Sequence, residues 1–338
     1  MKAVGLLKYL PIDNPESLID LDLPKPQPQG RDLLVAVRAV SVNPIDCKQR
    51  APKDRIEPKP RVLGWDACGV VEAVGPEATL FKPGDAVYYA GDITRPGSNS
   101  EYQLVDERIV GHKPRKLSAA QAAALPLTAV TAWESLFDRL RIARNGQDRG
   151  RRILIIGGAG GVGSIAIQFA KRIARLNVIA TASRPESVEW CRAMGADEVI
   201  DHRGYLASQL QERGIEGVDW ILCCNDTDQH FAAMAVAIQP QGLICALVDS
   251  VQPHDLTVLK AKSAGFVWES MFTRSRFRTA DMVEQHKILN RVADLIDGGE
   301  IRSTLGEVLG RIDAATLRQA HARIESGRSI GKLVLEGF

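Results

Sequence analysis

The hydrophobic and polar positions of this chain change their pattern near residue 118. Before about residue 104, short apolar and β-branched runs are separated by Pro and Gly, as is typical of β-strands joined by turns. The strands predicted most clearly are 33–40, 69–74 and 85–89. From Ser118 an Ala-rich segment predicts a helix, and the period at 128–141 predicts a second helix, which Asn145-Gly146 ends. The first part of the chain is therefore expected to be rich in β-structure.

Residues 150 to 265 alternate apolar strands with helical segments. The predicted strands are 153–156, 177–181, 198–200, 218–224 and 243–248. Strands separated by helices in this way indicate right-handed crossover units and a parallel sheet. Further helices are expected at 279–296 and from Asp313, and a closing strand at 329–335. We expect an α/β fold, with a β-rich domain, a doubly wound parallel-sheet domain and a return of the chain to the first domain.

Length and composition fit a two-domain globular protein. The chain has 338 residues, of which 45% are hydrophobic and 25% are charged, so a disordered or collagen-like chain is not indicated. The 43 Lys and Arg residues nearly balance the 41 Asp and Glu residues. This charge balance gives no reason to expect nucleic acid as a partner.

The sequence also predicts a cytoplasmic protein with no membrane association. No apolar run reaches membrane-spanning length, and residues 1–7 lack the long apolar core of a secretory signal. The six cysteines show no CxxC spacing, and several lie inside apolar runs, where a reduced thiol behaves as a small hydrophobic group. We therefore expect reduced, buried cysteines.

A glycine-rich turn at 158–163 lies between a predicted strand and a predicted helix. Its sequence, Gly-Ala-Gly-Gly-Val-Gly, follows the apolar run 153–156 and precedes the helical run 164–170. A dinucleotide pyrophosphate needs backbone N–H groups at close range and a helix N-terminus whose dipole faces the charge. A tight turn alone could carry the same glycines, but the order strand, turn, helix favours a nicotinamide dinucleotide site. The residues predicted to bind the cofactor here are Gly158, Gly160, Gly161, Val162 and Gly163.

The residues after the second strand of this domain indicate which nicotinamide cofactor is preferred. About 20 residues beyond the glycine motif, NAD-binding domains place an Asp or Glu that holds the ribose 2′-hydroxyl. Here Ser183-Arg184 occupies that place. A guanidinium suits a 2′-phosphate, whereas a carboxylate would repel it, so NADPH is favoured over NADH. The other interpretation is that Arg184 is a solvated residue at the start of a helix.

Three more candidate contacts follow later strands of the same sheet. Ligands of open parallel sheets bind outside the carboxyl ends of the strands. On this argument His202, after the third strand, is a candidate contact to the adenosine end of the cofactor, or else a polar strand-end residue in solvent. Asn225 and Val248, which follow the fourth and fifth strands, are further candidates.

Several segments outside the glycine turn carry a family resemblance. They are Val-Asn-Pro-Ile-Asp at 42–46, Leu-Gly-Trp-Asp-Ala-Cys-Gly-Val-Val at 63–71, Leu-Pro-Leu-Thr-Ala-Val-Thr-Ala-Trp at 125–133 and Gly-Lys-Leu-Val-Leu-Glu-Gly-Phe at 331–338. These segments and the glycine-rich turn occur in an order that resembles the medium-chain dehydrogenase/reductase superfamily. The resemblance covers essentially the whole chain. The likeness is strongest to its quinone oxidoreductase branch and, within it, to zinc-type alcohol dehydrogenase-like proteins.

The resemblance implies a GroES-like catalytic domain at 1–125 and 266–338, a Rossmann NADP-binding domain at 126–265, an active site in the cleft, and a homodimer. It implies that Asn43 lies near the nicotinamide and substrate and that Thr128 packs beside the cofactor. It also implies that Phe266, Val267 and Trp268 form a loop over the nicotinamide. At position 48 many quinone oxidoreductases carry Tyr, whereas this chain has Lys48, so the identity of the proton donor is open.

The zinc ligands of metal-dependent relatives have no counterpart in this chain. Those relatives hold the metal with a Cys, a His in a Gly-His-Glu segment and a later Cys. The corresponding positions here are Asn43, Trp65 and Leu127-Thr128, and the six histidines show no paired ligand spacing. We therefore predict no metal site.

Without a Lewis acid, hydride abstraction from an alcohol leaves the developing alkoxide unstabilised, so an electrophilic acceptor is favoured. We expect NADPH to deliver hydride to a quinone or to the β-carbon of an α,β-unsaturated carbonyl. The candidate catalytic residues are Asn43, a polar contact, and Lys48 or Tyr88 as proton donor, with strand packing as the alternative role of Tyr88. Alternative functions are a zinc-free alcohol dehydrogenase, an enoyl-thioester reductase with a basic entrance at Arg274, Arg276 and Arg278, or a non-catalytic NADPH-binding sensor or structural protein.

Overall fold

The structure is a computed structural model that describes residues 1–338, and the chain divides into two compact units. Unit 1 comprises Met1–Val130 and Phe272–Phe338, and unit 2 comprises Thr131–Met271. The corresponding sequence prediction placed the boundaries after residues 125 and 265. Unit 1 is thus built from both ends of the chain.

The first segment of unit 1 is dominated by strands, as the sequence predicted. Its strands are β1 (Lys2–Tyr9), β2 (Ile19–Asp22), β3 (Asp32–Val42), β4 (Lys53–Val62), β5 (Ala67–Val74), β6 (Ala86–Tyr89), β7 (Tyr102–Asp106) and β8 (Val110–His112). Its helices are α1 (Pro44–Arg50), α2 (Ala119–Ala123) and α3 (Pro126–Trp133), whose last residues already belong to unit 2. Helix α2 begins after Ser118, whose hydroxyl accepts a hydrogen bond from the Gln121 N–H, a capping arrangement that stabilises the first turn.

Unit 2 is a doubly wound α/β domain. Its elements are β9 (Arg152–Ile156), α4 (Gly161–Arg172), β10 (Asn177–Thr181), α5 (Pro185–Met194), β11 (Glu198–Ile200), α6 (Leu206–Gln211), β12 (Val218–Cys223), α7 (Thr227–Ala237), β13 (Ile238–Ala246) and β14 (Gly265–Trp268). All neighbouring strands pair in parallel in the order β11-β10-β9-β12-β13-β14. Strand order therefore reverses beside β9, which is the topology that binds dinucleotides.

The final part of the chain returns to unit 1. Its elements are α8 (Thr273–Phe277), α9 (Glu284–Asp297), β15 (Leu305–Gly310), α10 (Ala314–Glu325) and β16 (Lys332–Glu336). Strand β16 pairs antiparallel with β3, in a seven-stranded sheet with the path β15-β16-β3-β5-β6-β8 and β7 added on β3. A second sheet has the order β2-β1-β4. The α/β fold with a GroES-like unit and a Rossmann unit is confirmed.

Three predictions about elements need correction. Residues 266–268 were expected to form a loop, but they lie in β14, because their apolar side chains extend the sheet beside β13. The helix expected at 128–141 is α3 followed by a π-helical turn, Glu134–Arg139. The helix expected from residue 279 begins only at Glu284, after a turn in which the Met282 N–H donates to the Thr279 carbonyl at 3.0 Å.

Strand β4 shows why some strands were not predicted. Its sequence, Lys-Asp-Arg-Ile-Glu-Pro-Lys-Pro-Arg-Val, carries six charged side chains and two prolines, and most of it is exposed. It lies at the edge of the three-stranded sheet, where Pro and charged residues are tolerated. No helix of the protein has the length and apolar character needed to cross a membrane.

Candidate functional site

The glycine-rich turn connects β9 to α4 and is fastened to the end of β10. Gly157 has a φ of +83°, a left-handed conformation that favours glycine. Its N–H donates to the Thr181 hydroxyl at 3.0 Å, and the Gly158 N–H donates to the Thr181 carbonyl at 3.0 Å. The turn is therefore held by the second strand of the unit.

Gly158, Gly160 and Gly163 of the motif have different steric roles. A Cβ at Gly158 would lie 2.8 Å from the Ala180 side chain and 2.9 Å from the Cys191 sulfur. A Cβ at Gly163 would collide with the backbone of Gly157 and Gly158. At Gly160 the nearest atom would be the Gly157 carbonyl oxygen, at 3.5 Å. The outer glycines thus permit close packing, whereas the middle one leaves open space on the surface of the turn.

That open space lies at the N-terminus of a twelve-residue helix. Gly160 is the N-cap residue of α4, and its carbonyl accepts the Ser164 N–H at 2.9 Å. The N–H groups of Gly161, Val162 and Gly163 belong to the first turn and have no partner within the helix. Together with the helix dipole they provide an anion site.

A dinucleotide fits this turn. The Asn225 side chain, after β12, would approach a Cβ at Gly157 to 3.6 Å. Its Oδ1 is buried and accepts no hydrogen bond, which is costly unless a ligand provides a donor. The Thr227 hydroxyl donates to the Val248 carbonyl at 2.6 Å, so the chain after β12 is tied to the chain after β13. The structure therefore brings the turn and Asn225 together at the carboxyl edge of the sheet, with Val248 joined to the same edge.

The end of β10 presents the residues predicted to select the cofactor. Ser183 and Arg184 line a surface groove of about 770 Å³. Arg184 is the N-cap residue of α5, and its guanidinium donates to the Ser187 hydroxyl at 3.2 Å and lies 3.6 Å from the exposed Glu186 carboxylate. Arg184 is thus a half-buried cation rather than a fully solvated one.

A pair of histidines lies near the ends of β10 and β11. The His202 ring is 3.4 Å from the Thr181 hydroxyl, and its centre is 6.4 Å from that of His230 on α7. Burial is the main cause that lowers the pKa of both imidazoles, so each favours its neutral form. His230 was not singled out from the sequence, because nothing in its helical surroundings distinguishes it from a core residue.

The predicted nicotinamide-side residues of unit 2 lie in β14. Phe266 and Trp268 contact each other with ring centres 5.0 Å apart, and Phe266 also packs 5.9 Å from Phe231. Trp268 is 49% exposed. That Phe266, Val267 and Trp268 lie over the nicotinamide stays a prediction. If they do, they contact it from a strand and not from a loop.

Unit 1 contains a buried polar cluster around Asp66 and Lys332. The Asp66 carboxylate accepts the Ser41 hydroxyl at 2.8 Å, the Leu127 N–H at 2.7 Å and the Lys332 ammonium at 3.1 Å. The ammonium also donates to the Val42 carbonyl at 2.9 Å. Lys332 and Asp66 are almost completely buried, so each charge depends on the other for its stability.

Asn43 is held inside the same cluster. Its Nδ2 donates to the Trp65 carbonyl at 3.1 Å and to Asp66 at 2.9 Å, while its Oδ1 accepts from Lys332. Every polar atom of the amide is therefore engaged within unit 1. This arrangement favours a role for Asn43 in organising the cluster, and a direct contact to substrate stays a prediction.

Asp46 adds a second buried carboxylate. It accepts the Asn43 N–H at 2.7 Å at the start of α1. Burial raises its pKa from 3.8 to about 7, against the opposing effects of this hydrogen bond and of Lys332. Burial likewise raises the pKa of Asp66, although Lys332 and the hydrogen bonds act in the other direction.

The other predicted catalytic side chains differ in accessibility. Lys48 is exposed on α1. The Tyr88 hydroxyl is fully buried and donates to the Leu289 carbonyl at 2.6 Å, which supports its packing interpretation. Thr128 is buried in α3, and its hydroxyl donates to the Leu125 carbonyl at 3.0 Å.

The positions that correspond to zinc ligands do not fit the metal. The Asn43 amide is engaged as described above, and Trp65 is fully buried with its ring N–H donating to the Asp92 carbonyl at 3.3 Å. No group of three or more His, Cys, Asp or Glu side chains is placed to hold a metal ion. An indole and an amide that is already hydrogen-bonded are not zinc donors.

Comparison with known proteins finds two matching families. The family described as alcohol dehydrogenase GroES-like domain matches residues 29–123, and the family described as zinc-binding dehydrogenase matches residues 194–335. A zinc-type alcohol dehydrogenase-like protein of Staphylococcus aureus is 45% identical over 336 residues, which cover 99% of each chain. The 2-methylene-furan-3-one reductase of Solanum lycopersicum is 30% identical over 345 residues, covering 99% of this chain and 79% of the relative.

A solved structure from Rhizobium etli, provisionally described as a zinc-dependent alcohol dehydrogenase, is similar over 100% of this chain and 98% of its own, with 50% identity and a TM-score of 0.95. The chain therefore belongs to the medium-chain dehydrogenase/reductase superfamily of oxidoreductases, among its zinc-type alcohol dehydrogenase-like members. The word zinc in these descriptions refers to the relatives, since the corresponding donor positions of this chain do not fit the metal.

Proposed function

We propose that this protein uses NADPH to reduce a quinone or the activated double bond of an α,β-unsaturated carbonyl, without a metal ion. The observation that carries the cofactor preference is Arg184 at the end of β10, where a carboxylate would be required to hold the 2′-hydroxyl of NADH. Bound NADPH would supply a hydride. The remaining chemistry belongs to the residues of the chain.

The residues of unit 2 account for the binding of such a cofactor. The first-turn N–H groups of α4 would bind the pyrophosphate, and the open face of Gly160 permits its approach. The Arg184 guanidinium, with the Ser183 hydroxyl beside it, would bind the 2′-phosphate. Asn225 and His202 would line the remaining part of the site, at the carboxyl edge of the sheet.

The proposed substrate class rests on two features of the chain, the lack of zinc-ligand side chains and the accessible proton donors. Without a metal to stabilise an alkoxide, reduction of a conjugated acceptor is easier than oxidation of an alcohol. The similarity to a 2-methylene-furan-3-one reductase supports this class. Lys48 is the accessible side-chain candidate for protonating the resulting enolate, with water as the other source, since the Tyr88 hydroxyl is already engaged.

The alternative functions are less well supported. A thioester substrate would be favoured by a basic entrance, but Arg274 is ion-paired with Asp281 at 3.0 Å, leaving Arg276 and Arg278 as the exposed cations of that segment. A zinc-free alcohol dehydrogenase and a non-catalytic NADPH-binding protein remain outcomes of the test below.

The test is the steady-state oxidation of NADPH and of NADH with a panel of quinones, enones, an enoyl thioester and alcohol-carbonyl pairs. We expect quinone or enone turnover, with kcat/KM for NADPH at least about tenfold above that for NADH, since one charge-assisted contact contributes about 1.5–3 kcal/mol. Preference for NADH would contradict the cofactor proposal. Turnover of alcohols alone, or NADPH binding without any turnover, would contradict the substrate proposal. Stoichiometric zinc found by elemental analysis of protein purified without added metal would contradict the metal-free proposal.

We also propose a cytoplasmic homodimer. Strand β14 forms one edge of its sheet and pairs only with β13, which leaves its other edge as a template for a strand of a second copy. The half-exposed Trp268 lies on this strand. All six cysteines are free thiols, which fits a reducing compartment.

A further inference from the structure

Arg203 lies directly beside the residues that we assign to the 2′-phosphate. It follows β11 by three residues, and its Nη2 donates to the Ser183 carbonyl at 2.9 Å. Ser183 and Asp201 line the same groove. A residue remote from Arg184 in the sequence is thus joined to the same corner of the sheet.

Asp201 holds the Arg203 guanidinium in place. The Nε of Arg203 lies 3.1 Å from each Asp201 oxygen, and Nη2 lies 2.6 Å from Oδ2. The hydrogen bonds of Arg203 are therefore made by Nε and Nη2, and Nη1 takes part in none of them. The Arg203 side chain is 67% exposed, so its Nη1 is accessible to a ligand.

This arrangement also neutralises an acidic side chain next to the groove. The hydrogen bond from Arg203 is the main cause that lowers the pKa of Asp201. A bare carboxylate at this place would repel a phosphate monoester, which carries between one and two negative charges near neutral pH. The nearby Glu186 carboxylate offsets part of the positive charge of Arg184. A second cation would therefore help to balance the negative charge of the 2′-phosphate.

We infer that Arg203 is a second specificity-determining residue, which binds the 2′-phosphate of NADPH through Nη1 while Asp201 and the Ser183 carbonyl fix its orientation. This inference rests on the proposed NADPH preference. The geometry assigns to Asp201 the role of a positioning residue and to Arg203 that of a direct ligand.

The experiment is calorimetric titration of the intact protein with NADPH, NADH, 2′,5′-ADP and 5′-AMP. The variants are Arg203→Gln, Arg203→Lys and Arg184→Gln, with Arg172→Gln as the matched control. Arg172 is an exposed arginine on α4 that does not line this groove. The unfolding temperature of each variant shows whether the fold is retained.

We expect Arg203→Gln to raise the Kd for NADPH and 2′,5′-ADP about tenfold while leaving NADH and 5′-AMP within about twofold. Arg203→Lys should recover part of the lost affinity for NADPH and 2′,5′-ADP, because lysine keeps the positive charge but lacks the planar guanidinium. Arg172→Gln should bind all four ligands as the wild type does.

Other results would overturn the inference in distinguishable ways. If the wild type and Arg203→Gln both prefer NADPH equally, and Arg184→Gln loses the preference, Arg203 is not a ligand and the proposed cofactor stands. If Arg203→Gln weakens all four ligands alike, its role is structural. If the wild type itself does not distinguish NADPH from NADH, the proposed cofactor preference fails, and this inference fails with it.

Discussion

At the scale of single residues, the buried ammonium of Lys332 holds the polar cluster of unit 1 together. It bonds to Val42, Asn43 and Asp66, and none of these oxygens has access to solvent that could replace it. A buried ion pair contributes little relative to a well-packed apolar pair, but removal of one partner leaves an uncompensated charge.

We therefore predict that Lys332→Met lowers the free energy of unfolding by about 3–5 kcal/mol. The double variant Lys332→Met with Asp66→Asn should be more stable than Lys332→Met alone, because it removes the stranded carboxylate. Urea unfolding of the wild type, both single variants and the double variant gives the coupling energy. Additive effects of the two substitutions would show that the pair is not coupled.

Asp46 predicts a pH dependence of stability. In the folded protein, burial raises the pKa of Asp46 to about 7 from its ordinary value of 3.8. Between these values the unfolded chain releases the proton more readily, so this group makes the fold less stable as pH rises. Asp46→Asn keeps an acceptor for the Asn43 N–H but cannot ionise.

The unfolding temperature of the wild type, relative to that of Asp46→Asn, should therefore fall as the pH rises from 4 toward 7 and stay level above 7. Thermal unfolding of both proteins at intervals of half a pH unit measures this difference. A difference that is constant with pH would contradict the raised pKa.

At the scale of elements, the turn between β9 and α4 separates the requirements of folding from those of binding. Gly163→Ala places a Cβ against the backbone of Gly157 and Gly158, so it should cost about 1–3 kcal/mol of stability. Gly160→Ala meets only one carbonyl, at 3.5 Å, and should cost under about 1 kcal/mol.

Binding should respond differently to the same two substitutions. The methyl group of Gly160→Ala would occupy the space that a pyrophosphate needs, so we predict at least a tenfold loss of NADPH affinity in a stably folded protein. Fluorescence titration with NADPH and thermal unfolding of both variants test this. Wild-type affinity in Gly160→Ala would show that the cofactor does not approach this face of the turn.

The elements also show where sequence reasoning succeeds. Strands β10 and β11 begin and end where the sequence predicted, because each is a short β-forming run between two helical segments. Strand β14 was predicted as a loop, since its place in the sheet depends on its pairing with β13. The cofactor turn is local in sequence and could be found, whereas the contacts of Lys332 with Asp66 and of Arg203 with Ser183 join residues that only the fold brings together.

At the scale of the whole molecule, the sheet edge at β14 predicts the oligomeric state. Light scattering should give twice the chain mass of 36.9 kDa, and Trp268→Lys should shift the protein toward the monomer, because a buried charge opposes pairing of this edge. Val236→Lys is the control, since Val236 is equally exposed at 50% but lies on α7. A monomeric wild type at micromolar concentration would contradict the proposed dimer.

The central claim, that this oxidoreductase transfers hydride from NADPH to a quinone or an activated double bond, is tested most directly by isotope transfer. NADPH deuterated at nicotinamide C4, on each face in turn, is incubated with the protein and an enone, and the product is examined by NMR. We predict one deuterium at the β-carbon from one of the two faces and none from the other. Failure to reduce every enone and every quinone offered, or a reduced enone without deuterium from either face, would contradict the claim.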